Sequence, residues 1–174
     1  MCDLQSVLLE LKGRIINSAG VKICIEANKA NFENWVQVEL CSLLKAIPDL
    51  KVVVEKPYRV PGRRESIYVD VFTEDNQMNQ QDIQIKVVKY GPEGGINEEA
   101  QFVQDIEKLQ ICESRAQEKY LLSVVYHKGE LNWLDYELPD GTGHAQNPEI
   151  FTLMYAPGEQ PARFWLDLIK ISHV

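Results

Sequence analysis

The chain has 174 residues, 45% of them hydrophobic and 25% charged, and carries a formal net charge of −8 at pH 7. That length suits one domain spanning 1–174 with a core of its own, and the apolar share excludes a disordered tail. The acidity excludes a protein that coats nucleic acid through bulk positive charge, because nonspecific binding rests on lysines and arginines neutralising phosphates.

From the N-terminus, Leu4, Val7, Leu8, Leu11 and Ile15 recur at helical spacing and predict an amphipathic helix ended by Ser18-Ala19-Gly20. After a short stretch around Val21 to Ile25, a second helix is expected from Asn31, a suitable N-cap with Glu33 in the first turn, to about Ile47 before Pro48. Three apolar runs follow, Lys51 to Glu55, Ile67 to Thr73 and Asp82 to Val88, and read as an antiparallel meander joined through Pro61-Gly62 and through Glu74-Asp75-Asn76-Gln77. Gly91-Pro92-Glu93-Gly94-Gly95 breaks the sheet, Asn97 suits a cap, and Phe102, Ile106, Leu109 and Ala116 mark the inner stripe of a long helix. Tyr120 to Tyr126 reads as a fourth strand. Beyond it, Leu131 to Leu138 and Ile150 to Tyr155 read as strands around a Pro139–Pro148 loop, and Arg163 to Ile171 suits either strand or helix. The expected class is α/β, of the α+β kind with a mixed sheet, in the order αβββαβ, with an extra N-terminal helix and C-terminal strands.

No stretch approaches the roughly 18 apolar residues of a membrane span, and the Met1-Cys2-Asp3-Leu4 start lacks a signal-peptide layout, so a cytoplasmic protein is expected. Cys2, Cys24, Cys41 and Cys112 stand singly, without zinc spacing.

The chemistry concentrates in three places. On the second helix Phe32, Trp35, Val36, Leu40, Leu43 and Ile47 define an inward stripe, and Glu39 lies inside it, four residues from both Trp35 and Leu43. A carboxylate so placed needs a cation, a metal, a proton or a rim position. In the second strand, alternation puts Tyr68, Asp70 and Phe72 on one face; in the third it groups Asp82, Gln84, Lys86 and Val88. With adjacent strands and the helix across them, Glu39, Asp70, Gln84 and Lys86 converge. Asp70, the Gln84 amide oxygen, the Ile85 backbone carbonyl and Glu39 then suit Mg2+ or Mn2+, an oxygen-seeking ion that retains several waters. Lys86 has no lone pair to offer a metal and instead serves the attacking water or the phosphate charge.

Glu39 on a helix, Asp70 on a strand and Gln84-Ile85-Lys86 on the next strand resemble the PD-(D/E)XK, restriction endonuclease-like superfamily over about residues 31–126. The resemblance implies a core of helix, three strands, helix, strand and a magnesium-dependent phosphodiesterase acting on DNA. Val69 stands where the motif's proline would be, with little effect on ligand chemistry. Gln84 replaces the usual acid and removes one negative charge, a change found in active and inactive members alike. The alternative is a silent domain of the same fold that binds protein or nucleic acid.

Around this core Arg59, Arg63, Arg64 and Lys89 are candidate phosphate contacts, the first three also reading as a solvated hairpin tip. Tyr58, Tyr68 and Tyr90, with Trp35, Trp133 and Trp165, serve either as stacking surfaces or as core. His127, His144 and His173 are too dispersed for a metal triad. A homodimer would supply the two centres that cutting both strands of a duplex requires.

Overall fold

The computed structural model describes residues 2–21, 29–62, 64, 66–90, 95–128, 140–153 and 161–172. The expected strand at Leu131 to Leu138, the stretch 22–28, the 91–94 loop, Arg63, Cys24, Trp133 and His173 lie outside the described residues, as do the side chains of Asn31, Lys89, Tyr90, Asn97 and His127.

Helix α1 (Leu4–Asn17) begins where Asp3 accepts the Gln5 N–H and the Ser6 hydroxyl, and its buried Leu4, Val7, Leu8, Leu11 and Ile15 are the periodic residues of the sequence. Helix α2 (Lys29–Lys45) starts and stops two residues earlier than Asn31 and Ile47. Strands β1 (Lys51–Tyr58), β2 (Ile67–Glu74) and β3 (Gln80–Tyr90) form the antiparallel meander. Pro57 falls inside β1, which tolerates it as an edge strand with no ladder donor required on its outer side. Gly62, at φ 77 behind Pro61, supplies the left-handed residue of the β1–β2 turn.

Helix α3 (Gly95–Ile111) carries the chain back so that β4 (Glu118–Lys128) pairs parallel with β3. Ala116, assigned to the helical stripe by spacing, lies past the helix end and is buried in the connection to β4. The expected 139–148 loop contains the short strand β5 (Thr142–His144); β6 (Glu149–Leu153) follows, and the ambiguous C-terminal segment is strand β7 (Ala162–Ile171). Its full ladder with β4 decides for strand over helix, and burial along nearly its whole length marks a strand covered on both faces.

Among the described residues the architecture is a mixed α/β fold with a seven-stranded, mostly antiparallel sheet in the order β1-β2-β3-β4-β7-β5, with β6 also on β7. One face carries α1 and α2, whose Leu11, Ile15, Val36 and Leu40 pack with Ile83, Ile85, Leu122 and Leu166. The other carries α3, where Phe102, Ile106 and Leu109 pack with Leu121, Ile169 and Val69. No helix among the described residues is long and apolar enough to cross a membrane.

Candidate active site

β2 and β3 are hydrogen-bonded only from Val71–Ile83 to Glu74–Gln80, although β2 continues to Ile67 and β3 to Tyr90. Beyond Val71 each strand stays with its other neighbour, β2 with β1 and β3 with β4, so the sheet forks. Asp70 is the first residue past the last shared pair. Opposite it in β1, Glu55 has φ 53, and the regular β1–β2 pairing skips this position. The chain rolls there: Val71 belongs to the core beneath α1 and α2, whereas Val69 belongs to the cluster beneath α3. Strict alternation had put both valines on one face.

A fork strands backbone donors, since the β3 amides that would have paired with β2 lose their partners. Side-chain carboxylates replace them. Asp70 Oδ2 accepts the Ile85 N–H at 2.6 Å, and Glu33 Oε2 accepts the Val87 N–H at 3.1 Å. Gln84 Nε2 donates to the same Asp70 oxygen at 2.5 Å, and Gln37 Nε2 donates to the Asp70 backbone oxygen at 3.3 Å. Since the N–H and C=O of one strand residue face the same edge, the Ile85 carbonyl also faces the gap.

Glu33 and Gln37, one helical turn apart, thus form the sheet-facing margin of α2. The anchor is Phe32, whose buried ring meets Tyr126 edge-on at 5.6 Å and Phe164 at 6.1 Å. Glu39 is not in this group. Its carboxylate pairs with Arg14 of α1 at 2.5 Å, and Trp35 and Leu43, whose spacing points it inward, are only partly buried. The fully buried line Phe32, Val36, Leu40, Leu44 runs along the sheet, and Glu39 flanks it on the α1 side. The helix acid at the fork is therefore Glu33, six positions earlier.

Lys86 reaches across the other face of the sheet to Asp105 of α3, at 2.9 Å, and Asp105 also holds Lys108 at 3.0 Å. Spacing could have flagged Asp105, which sits three residues after Phe102 and four before Leu109, inside the buried stripe. Gln84 and Asp105 line a cleft of about 390 Å³ together with Ser66, Ile67, Tyr68, Lys108 and Leu109. Arg59 and Arg64 are exposed at the β1–β2 turn.

The electrostatics single out Asp70. Burial pushes its carboxyl up to about 6, with the negative charges of Glu33 and Asp105 adding to the effect and the Ile85 N–H and Lys86 opposing it. Asp70, the Ile85 carbonyl and the Gln84 amide bring hard oxygens to the gap, a donor set that suits a divalent cation, with the charges of Glu33 and Asp105 near enough to act on Asp70. Among the described residues no three His, Cys, Asp or Glu side chains are gathered closely enough to make a ready cage. Such an ion would be held by one or two carboxylates and keep much of its water, the usual habit of magnesium.

No protein-family model, no curated protein and no solved structure matches this chain.

Proposed function

We propose that the chain is a magnesium- or manganese-dependent phosphodiesterase of the PD-(D/E)XK kind acting on DNA, with Asp70, Gln84, Ile85 and Lys86 in the roles the sequence resemblance implies and Glu33 in place of Glu39. The observation that carries this reading is the fork: it gathers Asp70, the Gln84–Lys86 strand and Glu33 around one gap and leaves Asp70 with a carboxyl raised to about 6 by burial and by acid neighbours. The carboxylates cap the Ile85 and Val87 N–H groups, and the negative charge that this capping gathers beside Asp70 is what a bound cation would relieve.

Asp70 is the principal ligand, and the Ile85 carbonyl adds a second oxygen. Gln84 offers its amide oxygen by turning over the amide that now donates to Asp70. The ion would lower the pKa of a bound water and screen the phosphate charge. Lys86 orients that water or neutralises the charge that develops on the phosphate, shared between this task and Asp105. Glu33 holds the β3 edge in place and adds negative charge beside the metal ligands.

A second reading is a silent domain of the same fold. Two observations favour it: Gln84 brings no charge to the site, and the Lys86 ammonium is engaged by Asp105. Cleavage of plasmid and single-stranded DNA in magnesium and in manganese separates the two. The nuclease reading expects metal-dependent cutting that drops by about 10²–10³ in Lys86→Ala and to background in Asp70→Ala. A folded wild-type protein inert with both metals would transfer the assignment to the silent domain.

A further inference from the structure

The cleft beside Asp70 has a shape and lining that the phosphodiesterase roles leave unused. Tyr68 lines it and is 61% exposed, in a strand whose next residue, Val69, is fully buried. Its far wall is α3, with the Lys108 ammonium held in position by Asp105. Ile67 and Leu109 add apolar surface, and Ser66 adds a hydroxyl. Gln84 and Asp105 belong both to this cleft and to the groups around Asp70, so the two spaces are continuous. Tyr68 sits two residues before Asp70, about 6.6 Å along the strand.

We infer that this cleft takes one unpaired nucleotide next to the reacting phosphate, its base against the Tyr68 ring and its phosphate towards Lys108, so that the substrate is a single-stranded nucleic acid. This rests on the phosphodiesterase reading of Asp70 and Lys86. The size decides for a single strand: about 390 Å³ is at the lower end of the roughly 300–1,000 Å³ of small-molecule pockets and accommodates a nucleotide, not a duplex. Stacking makes the same demand, because a base in a duplex has both faces covered and must leave the stack to meet a protein ring. An aromatic platform beside a cation is the usual sequence-tolerant means of holding unpaired bases. On a chain of net charge −8 such a local grip is what remains when the overall field repels the polyanion.

The test is equilibrium binding, read by fluorescence anisotropy, of labelled oligothymidylate, oligouridylate and a duplex of the same length to the wild-type chain, in calcium and again in chelator. The inference expects the single strands to bind more tightly than the duplex. Tyr68→Ala should weaken single-strand binding by roughly five- to a hundredfold, and Tyr68→Phe, which keeps the ring, should retain it. An exposed position makes misfolding of these variants no concern, and circular dichroism verifies it. Equal affinity for the two sugars would mean that the base is what is held, and a preference would identify the sugar that Ser66 and its neighbours accept; both outcomes support the inference. Duplex binding as tight as single-strand binding, or Tyr68→Ala as tight as wild type, overturns it while leaving the phosphodiesterase reading intact. Failure of every oligonucleotide to bind in both buffers removes that reading and this inference together.

Discussion

Two aspartates in the same meander are removed from water in opposite company. Asp82 on β3 is fully buried and accepts the Tyr58 hydroxyl at 2.7 Å and the Ser114 hydroxyl, with Lys119 as its neighbour on β4. Lys119 is itself fully buried and donates to the Leu109 carbonyl at 2.6 Å, closing the end of α3. Burial raises the Asp82 carboxyl, but both hydroxyls, Lys56 and Lys119 all pull it back. Asp70 is also raised by burial, yet Glu33 and Asp105 push it further up. Desolvation alone therefore does not mark a site. The company does: Asp82 is met by two hydroxyls and two lysines, whereas at Asp70 the acids Glu33 and Asp105 stand against Lys86 and the Ile85 N–H.

The comparison breaks hardest at Lys119. Replacing it with Met removes one of the two lysines that favour the Asp82 carboxylate and leaves the buried Leu109 carbonyl without its donor, and should cost about 2–3 kcal/mol in urea unfolding; a near-neutral Lys119→Met would mean that the Asp82 surroundings do not depend on this lysine. Asp70→Asn should do the opposite. A carboxyl raised from 3.8 to about 6 in the fold favours folding fully at low pH, and that contribution is lost as pH rises through 6. The amide has no charge to lose, so the variant should gain stability over wild type at pH 8, on the order of 1–3 kcal/mol, with the gain vanishing below pH 4. Magnesium titrated at pH 8 should raise the melting temperature of wild type and leave that of Asp70→Asn unchanged. The smallest effects separate the two helix acids. Glu33→Ala strands the Val87 N–H and should cost about 1–3 kcal/mol together with activity, whereas Glu39→Ala breaks a half-exposed pair with Arg14 and should stay within about 1 kcal/mol, with cleavage retained.

Much of this molecule was written in short-range pattern. The stripe of α1, the three strands of the meander, the α3 stripe and the order of elements all follow from spacings of two or of three to four residues, which local backbone geometry enforces. What spacing could not supply was how the elements meet. Glu39 and Glu33 lie on opposite margins of the same apolar stripe, and only the packing of Phe32 on Tyr126 and Phe164 decides which margin faces the sheet. Gln84 and Lys86 share a face as alternation requires, but Asp70 meets Gln84 because the ladder opens there, with Glu55 in a left-handed conformation across from it. The C-terminal strand suits either element by sequence because Arg163, Asp167 and Lys170 fall four and three residues apart, a helical spacing, in a strand that is covered on both faces.

The fork also gives the protein an internal reporter. In most of a sheet an amide is shielded from solvent deuterium by a neighbouring strand's carbonyl, and its exchange measures the opening of the backbone. At Ile85 and Val87 the shield is a carboxylate, from Asp70 and Glu33, and burial raises that of Asp70 to about 6. Deuterium uptake at the Ile85 amide, against that of Phe72 and Thr73 where the ladder is intact, therefore registers the ionisation of Asp70 itself.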